Sequence, residues 1–198
     1  MRHASTIRIV AVLMSCVGAA ALAQPDDGLT ESPDGPEAVK VYFTPAAALE
    51  KVFSAADSLW TERWEPSAAE RTDLEARMGW RLPDEPITFH RGRRGNRDLG
   101  YALVLEEQGR FKPITFMVKI SGEGRVEMVL VMVYRESRGD GVKRQRFLKQ
   151  FRKKDETDHL RLNRDIVGVS GATMSSRAIT MGVKKALIMV NYRYTGQG

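Results

Sequence analysis

The chain reads as an α+β protein: a mainly antiparallel sheet packed by helices, in a single domain. Three observations lead there. Four strand-like runs between Ile87 and Tyr134 are separated by short turns, so that sequence neighbours pair antiparallel. Two capped helical segments precede those runs. A long amphipathic segment follows them near the C-terminus.

The first helix is announced by Thr44-Pro45, a capping residue followed by proline at the first helical position, with Leu49, Val52, Phe53 and Ala56 as its apolar face. Ser67 and Glu70 have capping-box spacing for a second helix, which Gly79 ends. Strands are predicted at about Ile87 to His90, Gly100 to Glu106, Ile114 to Ile120 and Arg125 to Tyr134, with turns at Gln108-Gly109 and Ser121 to Gly124. The last strand is almost continuously apolar, from Val126 and then Met128 to Val133, which predicts a central strand covered on both faces. Helices must supply that cover. Phe147, Leu148 and Phe151 form one apolar edge; Ile179, Val183, Ala186, Leu187 and Val190 share a face of the C-terminal helix, with Arg177, Lys184 and Lys185 off it.

Residues 1–23 have the form of a secretory signal: Arg2 and Arg8, an apolar run from Ile9 to Ala20, then Ala21-Leu22-Ala23 before Gln24 as the cleavage site. The run is short of the ~20 residues a membrane span needs. A second reading takes Leu13-Met14-Ser15-Cys16 as a lipid-attachment box, though apolar residues continue past it. Cys16 is the one cysteine, so the exported chain has no thiol for disulfides, catalysis or metal. His90 and His159 stand without a paired ligand pattern and are expected at the surface.

Residues 24–40 are an acidic, proline-rich leader expected to be disordered, with Asp26, Asp27, Glu31, Asp34 and Glu37 among Pro25, Pro33 and Pro36. The folded domain is then 41–198. Arg2 and Arg8 contribute +2 to the formal net charge of +6, which leaves +4 on the mature chain. Basic residues gather at Arg91, Arg93, Arg94 and Arg97 and again from Lys143 to Lys154. No nucleic-acid motif accompanies them, and an exported chain seldom meets nucleic acid, so no nucleic-acid partner is expected. A solvated face, or a dock for an acidic redox partner or an anionic membrane surface, accounts for the charge.

One stretch carries chemistry. Ser170-Gly171-Ala172-Thr173-Met174-Ser175-Ser176 sets hydroxyl groups where a loop enters the C-terminal helix, whose first N–H groups and dipole together favour phosphate. Gly171 and Ala172 permit close backbone approach, and Ser175 or Ser176 is expected to cap the helix. Serine, glycine and threonine are also ordinary turn and capping residues in such a place.

This SGATMSS stretch resembles the signature of the FMN-binding domain family, which includes the flavin subunits of Rnf complexes and of the sodium-translocating NADH:quinone oxidoreductase. The resemblance continues upstream, in order, through Leu99-Gly100-Tyr101, Lys112 to Phe116, Tyr134 to Asp140 and Arg146 to Phe151. It is strongest over 99–190. It implies FMN as cofactor, with Thr173 as the residue that a flavin transferase esterifies using FAD. Ser170, Gly171, Ala172, Met174, Ser175 and Ser176 would bind the phosphate region. Tyr134 and Arg135 come from the matching YRES-type segment, and Ile114, Phe116 and Tyr134 would wall the isoalloxazine ring. The same segment holds Glu136 and Lys143, whose other reading is a salt bridge fixing the loop. The family carries Asp six residues before the esterified hydroxyl, where this chain has Val167.

Three functions follow from these residues. The first is an exported, periplasmic electron carrier that exchanges electrons with an envelope partner, membrane-bound or peripheral, with no catalytic side chain of its own. The second is an exported flavin-dependent reductase with its own substrate. The third is a flavin-free binding or assembly module, which Val167 favours.

Overall fold

A computed structural model of the protein describes residues 39–196. The signal and almost all of the acidic leader lie outside the described residues. The described part is an α+β domain whose six strands form one antiparallel sheet. Its strands are β1 (Lys40–Val41), β2 (Ser58–Trp64), β3 (Ile87–Arg94), β4 (Arg97–Gln108), β5 (Pro113–Ile120) and β6 (Val126–Tyr134), in spatial order β1-β6-β5-β4-β3-β2. Among the described residues no helix is long and apolar enough to cross a membrane.

The two N-terminal helices form where their caps direct. Helix α1 (Pro45–Val52) starts after Thr44, whose hydroxyl accepts the Ala47 N–H. Helix α2 (Ala68–Met78) has the complete capping box: Ser67 Oγ accepts from Glu70 N, and the Glu70 carboxylate accepts from Ser67 N at 2.7 Å. Gly79, at φ 70°, ends it in the left-handed conformation that glycine adopts without steric cost.

Each face of the sheet is covered. Ala48 and Phe53, in and just after α1, pack with Ala102, Met117 and Met132 on one side. The main core fills the other, between the sheet, α2 and the long helix α4 (Thr173–Val190), joined by the short helix α3 (Gln145–Leu148) and the 3-10 turn after it. The predicted faces hold: Ile179, Val183, Ala186, Leu187 and Val190 are buried, as are Phe147, Leu148 and Phe151.

Two departures concern strands. Strands β1 and β2 lie where no strand was expected, and β1 takes Lys40, the last residue assigned to the leader, into the sheet. Strand β6 is covered on both faces at Val129 to Met132, but it is next to the two-residue edge strand β1 rather than at the centre.

Helix α4 crosses the sheet closely because of Gly182. A Cβ built there would lie 2.3 Å from Phe116 Cζ, so only glycine allows this approach. Beyond Val190 the helix continues as a π turn, Asn191–Thr195, whose aromatic residues stack on the sheet. Tyr194 stacks on Tyr101 with ring centroids 4.2 Å apart, and Tyr192 stacks on Trp64 at 6.0 Å. Arg91 lies over both Tyr101 and Tyr194. The far end of α4 is thereby fixed, and its N-terminus is held at the opposite end, beside Tyr134.

Candidate functional site

A β-bulge places the first component of the site. Phe116 pairs with Val131 while Thr115 pairs with Val133, so Met132 is the extra residue. Simple alternation from Val131 would turn Val133 toward α4 and Tyr134 away from it; the extra residue reverses this and directs Tyr134 into the main core. The buried Tyr134 hydroxyl donates to Arg138 O at 2.6 Å and lies 2.9 Å from Ser175 Oγ. Burial raises its pKa, a shift that the Ser175 hydrogen bond partly opposes.

Two loops meet above that hydroxyl. Gly139, at φ 88°, is packed so closely that an added Cβ would lie 2.8 Å from Tyr134 Oη and 3.1 Å from Ala172 Cβ. Asp140 next to it accepts from Lys143 at 3.1 Å and Lys40 at 3.3 Å, and the Lys143 hydrogen bond is the main reason its pKa is lowered. Lys143 also donates to Tyr42 Oη at 3.0 Å. The loop is thus tied to both β1 and the chain that follows it.

The second loop leads into α4. Ala172 N donates to Val169 O at 2.9 Å, closing a turn in which Gly171 has φ 74° and open space around it. Ala172 stands at the cap position and cannot cap with a side chain; the first turn has no acidic residue. Thr173 is the first helical residue and is exposed. The opening N–H groups of α4 and a free hydroxyl therefore face outward together. An uncapped mouth with a glycine turn, an exposed hydroxyl and no acidic residue in its first turn fits a phosphate group.

The expected site residues divide. Ser170, Gly171, Thr173 and Met174 are brought to the exposed mouth, and Ala172 is buried directly beneath it. Ser175 and Ser176 do not cap the helix, contrary to the expectation from sequence. They lie inside it and are buried, Ser175 on Tyr134, and Ser176 accepting the Val169 N–H at 3.0 Å. Their hydroxyl groups bind the loop to the helix.

Arg135 is not at the mouth. Following Tyr134, it lies on the other side of the sheet, where it donates to Thr115 Oγ1 at 2.8 Å and Pro113 O at 3.1 Å. Glu136 is buried and accepts from Phe111 N at 2.9 Å and Lys112 N at 3.3 Å, holding the β4–β5 turn. Ile114, Phe116 and Tyr134 are completely buried, so they cannot present an open wall to a ring. Apolar side chains that are open to solvent near Thr173 are Val167, 70% exposed, and Met174, 42% exposed.

Sequence reading passed over an open cavity of about 350 Å³ that begins one turn below Thr173 and has Arg161, Arg164 and Arg177 in its lining. Its signal was the spacing of Arg177, four residues after Thr173 and therefore on the same side of the helix.

Over 116 residues the chain is 28% identical to a component of the proton-translocating ferredoxin:NAD(+) oxidoreductase complex of Clostridium ljungdahlii, a match covering 54% of this chain and 62% of that protein. The match thus spans about three fifths of that relative's length. The crystal structure of Shewanella oneidensis NqrC superposes over 75% of this chain and 86% of its own, with a TM-score of 0.49 and 14% identity. Residues 109–188, which contain β5, β6, the helix mouth and most of α4, match the FMN-binding domain family, and FMN is the cofactor of that domain.

Proposed function

We propose that this protein is an exported electron carrier with FMN joined to Thr173 through a phosphoester. The observation that supports this most directly is the exposed Thr173 hydroxyl at the first position of an uncapped helix, inside the stretch that matches an FMN-binding domain. In this reading a flavin transferase uses FAD as donor. Thr173 Oγ1 bonds to the FMN phosphorus, the pyrophosphate bond breaks, AMP leaves, and the threonine proton passes to a base or solvent. The N–H groups of the first turn, Thr173 to Ser175, then hold the phosphate oxygens, as helix N-termini do.

Bound FMN supplies one- and two-electron chemistry. The protein's own residues orient it: Tyr134 and Ser175 fix the helix mouth, Gly139 keeps the two loops close without a side chain in the way, and Gly171 supplies the left-handed turn before the helix. Export directed by residues 1–23 places the carrier in the periplasm. Its proposed partner is a membrane-bound redox assembly, by analogy with the complex named for the Clostridium ljungdahlii relative.

The test is the intact mass of mature protein exported beside a flavin transferase, with flavin fluorescence on a denaturing gel, for wild type and Thr173→Ala. The expected result is an added flavin mass in wild type that survives denaturation and is absent from the variant. Yellow native protein of unmodified mass would replace the ester with reversible binding. Colourless protein would refute the carrier.

A further inference from the structure

The cavity one turn below Thr173 has three apolar contributors, Leu160, Leu162 and Met181, and three arginines, Arg161, Arg164 and Arg177. Arg161 is compensated in part: its Nε is 3.8 Å from Asp165, and the same carboxylate accepts its backbone N–H at 2.8 Å. The guanidinium groups of Arg164 and Arg177 form no ion pair or hydrogen bond to any described residue. Both residues are exposed, so the fold does not depend on either charge.

The segment carrying Arg161 and Arg164 is held rigidly. Leu160 and Asn163 have φ of 49° and 64°; asparagine enters this left-handed region readily, whereas leucine does so at a steric cost. Arg161 O accepts from Asp165 N at 2.8 Å, and Asn163 N donates to Ile166 O at 2.7 Å, closing the loop on itself. Leu160 is buried as its anchor. Strained residues such as Leu160 persist where the surrounding structure holds them, and they cluster at functional sites.

We infer that this cavity seats the isoalloxazine ring of FMN held at Thr173, and that Arg164 and Arg177 are the cations that stabilise the reduced ring. The inference rests on the FMN-carrier reading. Reach supports it. Arg177 and Met181 lie about 6 and 12 Å along the helix from Thr173 at the helical rise, and an extended ribityl phosphate chain spans about 8–9 Å at standard bond lengths.

The charge chemistry supports it as well. Two-electron reduction with uptake of one proton at N5 leaves the ring with one net negative charge at its N1 and C2-carbonyl edge. The electrons come from a low-potential redox protein in the carrier, or from dithionite in a titration. A nearby cation lowers the energy of that form and raises the potential. Guanidinium serves well because it remains charged throughout the working pH range.

The experiment measures flavin content by intact mass and absorbance first. Midpoint potential and visible circular dichroism follow, on loaded wild type, Arg164→Gln/Arg177→Gln, Arg177→Lys and Met181→Trp. The double variant is expected to favour the reduced form at least tenfold less, a potential about 30 mV lower for a two-electron couple. Arg177→Lys should retain the wild-type potential, and Met181→Trp, which fills the cavity, should alter the visible dichroism. A fully loaded double variant with unchanged potential, or a loaded Met181→Trp with unchanged dichroism, overturns the seat and leaves the carrier standing. Colourless wild-type protein overturns both.

Discussion

Tyr134→Phe removes one oxygen atom from the point where three segments meet. The hydroxyl donates to Arg138 O at 2.6 Å and is 2.9 Å from Ser175 Oγ, with Tyr134 and Ser175 themselves buried. Phenylalanine retains the ring and its packing, so the cavity left is smaller than a water molecule and contributes little. The main cost is a part-buried carbonyl and a buried serine hydroxyl that lose their partner, about 1–3 kcal/mol. Ser175→Ala should cost less, about 0.5–1.5 kcal/mol, because the tyrosine hydroxyl still has Arg138 O.

The assay is urea denaturation of wild type, both single variants and the double variant. For a domain of this size each kcal/mol also corresponds to about 2–4 °C in melting temperature. The double variant should be more stable than the sum of the single costs implies, with a coupling of about 0.5–1 kcal/mol, since the two hydroxyl groups act on each other. Flavin loading at Thr173 should fall in Tyr134→Phe while far-ultraviolet dichroism remains native. If Tyr134→Phe is within about 0.3 kcal/mol of wild type, or the two changes are strictly additive, then the bulge that aims this side chain does not hold the helix mouth as argued.

Other perturbations test the surrounding frame. Gly182→Ala gains about 1 kcal/mol of helix propensity, but its methyl meets the fully buried Phe116, so the urea midpoint should fall, with Phe116→Leu restoring part of the loss. Glu136→Gln weakens two charge-assisted hydrogen bonds, costing about 1 kcal/mol or more, and should accelerate hydrogen exchange at Phe111 and Lys112 before other amides. His90 is partly buried rather than at the open surface, and burial lowers its pKa from 6.5. The unfolded chain therefore binds a proton more readily than the folded one, and stability should decline as pH falls below 6.5. His90→Gln should lose that part of the dependence in melts between about pH 5 and 7.5.

Much of the frame was legible because its signals are local. The Thr44-Pro45 and Ser67/Glu70 caps involve residues within one turn of each other, and both formed as their sequence implies. Strand β2 was not legible: Ser58-Leu59-Trp60-Thr61-Glu62-Arg63-Trp64 lies at the sheet edge, only Trp64 is buried, and charged residues interrupt its apolar pattern. Strand β1 has no signal of its own, since two residues become a strand only by pairing with Val133 and Tyr134.

At the site, the location of the helix mouth was legible but the orientation of its side chains was not. Serine near a helix start is ordinarily a cap, yet Ser175 and Ser176 are drawn inside by Tyr134 and the Val169 N–H, partners 41 and 7 residues away. The residues assigned to the ring wall were correct as apolar and wrong as accessible. Ile114 and Phe116 belong to the core under α4, and no local pattern separates a wall from a floor. Arg135 was displaced by the same bulge that brings Tyr134 inward, an effect of pairing between β5 and β6 that neither strand announces alone.

The distribution of satisfied and unsatisfied groups along α4 has a functional sense. Its C-terminal extension is stacked between arginines and aromatic rings, and its middle is fixed by Gly182 against Phe116 and by Lys185 on both oxygens of Glu107 at 2.6 and 2.9 Å. Only the first turn is left without a cap, although a serine or aspartate in place of Ala172 would contribute about 1 kcal/mol. A side-chain cap would occupy the same N–H groups that a phosphate needs. Stability supplied by the far end and the middle allows the mouth to remain open, and it leaves Arg177, one turn below, without an ion pair among the described residues.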